Sequence, residues 1–133
     1  MSKRVAFSSA FSFLFVLGSI AFTAVPAAAH KEYKDMFKAT YVKTGSTEAN
    51  DAALAKAFDT ASCTVCHMPG DNKKLRNDYG KQLAQRLKEG DEKDKPKIKA
   101  ALEAVAKLKS NPADATSPTF GEKIANGKLP AAN

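Results

Sequence analysis

The chain has no tryptophan, and among its 133 residues it has only two cysteines, two histidines and three methionines. No sustained alternation of apolar and polar residues is present, so there is no pattern on which to build a sheet. No internal repeat or low-complexity tract occurs, which excludes a solenoid. Two cysteines give no disulfide framework. Cys63 and Cys66 as a pair would close a very small loop and constrain the unfolded chain little. Large side chains are scarcer than the totals suggest. Five of the eight phenylalanines precede Ala29, which leaves Phe37, Phe58 and Phe120 with Tyr33, Tyr41 and Tyr79. A core this thin usually needs a staple.

The first stretch reads as a removable leader. Lys3 and Arg4 open it, residues 11–20 are an apolar run, and Ala27, Ala28 and Ala29 are small residues suited to a signal peptidase. The expectation is a secretory signal peptide over 1–29 and one domain over 30–133. An uncleaved membrane anchor is the competing reading, but the apolar run is short and carries serines. No stable membrane span is expected after cleavage. No cysteine near the cut marks a lipoprotein. With Lys3 and Arg4 removed, the formal charge falls from +7 to +5. Export makes nucleic acid an improbable partner for this basic chain and favours acidic proteins.

The remainder predicts an all-α domain of about four to five short helices. Tyr33, Met36, Phe37 and Tyr41 share one helical face, followed by a break at Gly45. Leu54, Ala57, Phe58 and Ala61 form a second stripe, with Asn50 as its N-cap, running into Cys63. Residues 69–72 read as a turn. Leu75, Tyr79, Leu83 and Leu87 recur every four residues and predict a helix of about four turns, ended by Gly90. Ile98, Ala101, Leu102, Val105 and Leu108 mark the next buried face, ended by Asn111 and Pro112. Thr119 and Glu122 fit a capping box for a short helix to Asn126, stopped at Gly127.

The sharpest chemical signal is Cys63-Thr64-Val65-Cys66-His67. Two thiols three positions apart can form thioethers to the two vinyl groups of one haem, and the histidine that follows is then held beneath the iron. Three other readings compete. A thioredoxin-like dithiol needs a βαβ context. Zinc normally takes four protein ligands, and only His30 is left to join the motif. A plain disulfide is the third.

A haem would leave its other axial position undecided. After Met68 there is neither methionine nor histidine, and Met68 adjoins His67 too closely to reach the opposite face. Met36, on the first apolar stripe, is the best side chain for the iron, although methionines usually just fill such faces. His30, a lysine, water or an open site are the alternatives, and a mobile terminus disfavours His30. Arg76 and Tyr79 could hydrogen-bond a propionate, against a solvated arginine and a packed tyrosine. Lys73, Lys74, Lys81, Lys88, Lys93, Lys95, Lys97 and Lys99 could form a basic rim that steers acidic redox partners, or a solvated helix face.

With these residues set out, the chain resembles the small mono-haem c-type cytochromes of planctomycetes, including relatives in anammox bacteria. The matching segments are Tyr41-Val42, the Cys63–His67 motif, residues 76–80 (RNDYG) and residues 118–130 (PTFGEKIANGKLP). The resemblance covers nearly all of 30–133. It implies a compact cytochrome c-like bundle, a periplasmic or equivalent location, and either electron transfer or binding of a diatomic gas. Some such relatives pair as dimers, so a homo- or heterodimer is among the expectations here, and some use a cysteine as distal ligand. This chain departs there, because both of its cysteines are committed to thioethers. The expectation is a one-electron carrier with one covalent haem c, or else a gas-binding or sensing protein with a displaceable sixth ligand. No catalytic set surrounds the motif, so no enzyme is expected. A small peroxidase would want a distal acid/base group, and the only other histidine is His30.

Overall fold

The computed structural model describes residues 31–132 except 71 and 73. The expected leader over 1–29 and His30 lie outside the described residues. The described residues form five α-helices: α1 (Lys31–Tyr41), α2 (Ala49–Ala61), α3 (Asp78–Ala84), α4 (Lys95–Ala106) and α5 (Phe120–Ala125). Two 3-10 turns, Ser62–Val65 and Asp91–Lys93, join them. Among the described residues the only β contacts are isolated antiparallel bridges, His67 with Arg76 and Lys109 with Thr119. Among the described residues no helix is long and apolar enough to cross a membrane.

α4 is the centre of the bundle and packs against α1, α3 and α5. Asp94 starts it by accepting the Lys97 N–H at 3.0 Å, and Pro96 sits in the first turn where its missing N–H costs nothing. Ile98, Ala101, Leu102 and Val105 form its buried face. The helix stops at Ala106, before the Asn111-Pro112 end expected from sequence. Asn111 and Ser117 instead bond each other across a loop, with the Ser117 hydroxyl donating to the Asn111 carbonyl at 2.9 Å.

α1 buries Phe37 and half-buries Tyr33 and Met36. α2 buries Leu54 and Phe58. Its N-cap is Glu48, not Asn50, and the Glu48 side chain makes no cap bond. Asn50 lies within the first turn and reaches away, donating to the Ala125 carbonyl at 3.2 Å. That bond joins the start of α2 to the end of α5. Gly127 passes so close to Asn50 that a Cβ would stand 2.7 Å from its carbonyl oxygen, and its φ of +73° suits glycine as well. The capping box of α5 is as expected: Thr119 Oγ1 accepts from Glu122 N at 3.1 Å, and Thr119 N donates back to Glu122 Oε2 at 2.6 Å.

The expected four-turn helix from Leu75 to Leu87 is corrected to the seven residues of α3. Leu75 is 55% exposed and belongs to a hairpin, where its carbonyl accepts from Met68 N at 2.9 Å. Tyr79, Leu83 and Leu87 are buried, so only the first member of the stripe was coincidental. Gly90 is left-handed at φ +95°, but it does not stop the helix as expected: α3 closes at Ala84 with Gln85 as its C-cap, and Gly90 precedes the Asp91–Lys93 turn.

Five of the six aromatic residues beyond residue 29 meet in one cluster. Phe37 stacks on Phe58 at 5.8 Å, tilts against Tyr41 at 5.2 Å and meets Tyr79 edge-on at 5.9 Å. Tyr79 in turn meets Phe120 edge-on at 5.2 Å. Few large rings thus serve several helices at once, and such pairs add about 0.5–1.5 kcal/mol each beyond area burial.

Candidate cofactor-attachment site

α2 delivers the chain to the Cys-x-x-Cys-His segment through a sharp change of direction. Ser62 has φ +49°, and its N–H donates to the Phe58 carbonyl, closing the helix. The 3-10 turn that follows buries Val65 at 1% exposure and leaves Cys63 and Cys66 half-buried, both as free thiols. The Cys63 carbonyl accepts from Cys66 N at 3.3 Å and from His67 N at 3.1 Å. One carbonyl thereby gathers both the second thiol and the imidazole onto the first.

Asn77 organises the other side of this loop. Its Nδ2 donates toward the carbonyls of Thr64 at 2.9 Å, Val65 at 3.1 Å and His67 at 3.4 Å. Its backbone N–H donates to the Cys66 carbonyl at 3.1 Å. Four consecutive carbonyls therefore face one residue. Its Oδ1 accepts from Gly80 N at 2.9 Å and caps α3. The amide orientation follows from the network, since the reversed group would set its oxygen against three carbonyl oxygens. Gly80 brings α3 against the loop: a Cβ there would lie 1.9 Å from the Cys66 oxygen. Asn77 is not among the residues expected at the site from sequence. The available signal was an asparagine three residues ahead of a glycine, at a helix start.

Tyr79, one of the two expected propionate donors, is fully buried in α3. Its hydroxyl and that of Tyr41 are buried with no hydrogen-bond partner. Burial first, then the neighbouring Cys66 and Tyr41, push the Tyr79 phenol far above its ordinary value. An unsatisfied buried hydroxyl costs about 1–3 kcal/mol. Arg76, the other expected donor, is exposed at the bridge to His67, and its charge is felt at Cys66. Met36 is half-buried on α1, which lies against the Ser62–Val65 turn. Met68 is 46% exposed beside Leu75.

A reactive dithiol depends on thiolate. Burial, then the negative charge of a Cys63 thiolate, push the Cys66 thiol up to about 12, with Arg76 opposing. Among the described residues no group of three or more His, Cys, Asp or Glu side chains could hold a metal ion. Cys63, Cys66 and His67 are the residues that could hold a covalent haem. Two free thiols and an imidazole stand on one loop, and the neighbouring phenol hydroxyl of Tyr79 lacks an acceptor. Of the expected lysines, Lys81, Lys97 and Lys99 pair with Asp78, Asp91 and Glu103 on the surface, while Lys74 is exposed on the motif hairpin.

No protein-family model, no curated protein and no solved structure matches the chain.

Proposed function

We propose that this chain is an exported c-type cytochrome that carries single electrons between proteins. Cys63 and Cys66 hold one haem through thioethers, and His67 is its proximal iron ligand. The observation that carries the reading is the presentation of two free thiols and an imidazole on a single loop, gripped at four carbonyls by Asn77. Haem, when bound, supplies a one-electron iron couple.

The chain's own residues have separate tasks. The two sulfurs tether the group. Tyr79 donates its buried hydroxyl to a propionate, and Arg76 offers a second, exposed donor. Met36 on α1 is the proposed sixth ligand, ahead of His30. The aromatic cluster excludes water behind the loop. Acidic redox proteins are the partners that suit a +5 chain with exposed lysines.

One specific observation favours a second reading, a binder of nitric oxide or carbon monoxide with a displaceable sixth ligand. No methionine or histidine follows Met68.

Spectra separate the two. The protein is produced with a c-type maturation system and recorded oxidised, reduced, and reduced under carbon monoxide. A low-spin spectrum that carbon monoxide leaves unchanged is expected for the carrier. A high-spin spectrum that shifts would favour the gas binder. Protein recovered without covalent haem would sink both.

A further inference from the structure

We infer that Asn77 is the positioning residue for His67: its side-chain amide fixes the direction in which the imidazole leaves the motif loop, and thereby tunes the iron. This rests on the haem reading above and goes beyond it, because it assigns the tuning to a residue outside the Cys-x-x-Cys-His segment.

The argument begins with how a side chain is aimed. The direction of a Cα–Cβ bond is set by the backbone on either side. For His67 both sides are held. Its N–H donates to the Cys63 carbonyl at 3.1 Å, and its own carbonyl accepts from Asn77 Nδ2 at 3.4 Å. Cys66 is held in the same manner, with its N–H on the Cys63 carbonyl and its C=O on the Asn77 N–H at 3.1 Å. The carbonyls of Thr64 and Val65 take the two shorter Nδ2 bonds. An amide nitrogen has two hydrogens, so three acceptors fully occupy it. Asn77 itself cannot drift, because it is 8% exposed and its Oδ1 is bound by Gly80 N. The residue thus transmits the position of α3 to the second thiol and the imidazole together.

Groups that orient a metal ligand without touching the metal alter its geometry, and Asn77 acts on His67 through its backbone carbonyl. A helix cap alone would not. The two roles of Asn77 sit on different atoms, Oδ1 for the cap and Nδ2 for the loop, so substitution can divide them. Asn77→Asp and Asn77→Ser both keep an oxygen acceptor for Gly80 N and both lose the amide donor. Asp94→Ala removes a cap of the same kind from α4, away from the motif.

The full chain is matured with haem as wild type, Asn77→Asp, Asn77→Ser and Asp94→Ala. Ferric low-spin EPR g-values, midpoint potential, the fraction of chain carrying covalent haem, and far-UV circular dichroism are measured. Both Asn77 variants are expected to stay helical while their g-values and potential move together away from wild type, or while their covalent haem fraction falls. Asp94→Ala is expected to lose thermal stability with g-values and potential unmoved. Haem-loaded Asn77 variants with wild-type g-values and potential would overturn the inference. So would loss of helical dichroism in both Asn77 variants, which would make the residue a purely structural one. Wild-type protein without covalent haem is a different failure: it removes the cytochrome reading itself.

Discussion

Gly80 stands so close to the carbonyl of Cys66 that a methyl group on its Cα would lie 1.9 Å from the oxygen and 2.8 Å from the carbon. The obstacle is backbone, not the flexible end of a side chain. Gly80→Ala therefore has to push α3 and the motif loop apart. Overpacking of this kind costs about 1–3 kcal/mol. The expected result is a lower urea midpoint at unchanged slope, with a reduced yield of covalent haem. A variant as stable as wild type would show that the approach is looser than described.

Ser62 leads to a second prediction. Its φ of +49° and ψ of −103° are unfavourable for a residue with a Cβ. Such conformations cost on the order of 1–3 kcal/mol, while a glycine there gives back about 0.5–1 kcal/mol through the freer unfolded chain. Thermal unfolding is expected to rank Ser62→Gly at or above wild type and Ser62→Val well below it, because a β-branched side chain tolerates positive φ least. Ser62→Gly as the least stable of the three would refute the assignment of strain.

The capping box of α5 makes a third, dependent on pH. The backbone N–H and then the hydroxyl of Thr119 hold the Glu122 carboxyl below its ordinary value of 4.5. A carboxyl depressed in the folded state binds fewer protons there than in the unfolded chain, so stability rises with pH across that window. The contribution is present above the unfolded value and disappears as pH falls through the lower folded one. Thr119→Ala is expected to cost about 1 kcal/mol at neutral pH. It should also lessen, by the hydroxyl's share, the loss of stability that wild type shows on acidification, while the backbone N–H at that position goes on holding the carboxylate. Urea titrations of both proteins at neutral and acid pH check it; parallel curves would count against the coupling.

Much of this was legible in the chain, for local reasons. The α4 stripe, the Thr119/Glu122 box and the stop at Gly127 depend on neighbours within a turn or two, and the structure has them where the pattern puts them. The Leu75 error has an equally physical cause. Spacing of four is blind to a competing cap, and Asn77, with its extended backbone and its side chain on Gly80 N, starts the helix three residues after the stripe begins. Asn50 misled in the opposite sense: a good capping residue was drawn to a long-range partner, Ala125, that no window of sequence contains. At the motif, the residue types of Cys63, Cys66 and His67 could be read directly. The bonds from Asn77 back to Thr64, Val65 and His67 span ten to thirteen positions and follow from the hairpin alone.

The Asn77 grip is made wholly of uncharged groups: one carboxamide, backbone N–H groups and backbone carbonyls. Nothing in it titrates, and dissolved ions do not screen it as they screen the exposed Lys81–Asp78 or Lys99–Glu103 pairs. A neutral fastening gives the Cys66–His67 segment the same shape in brackish and in fresh surroundings, while the lysine-studded exterior remains free to respond to them.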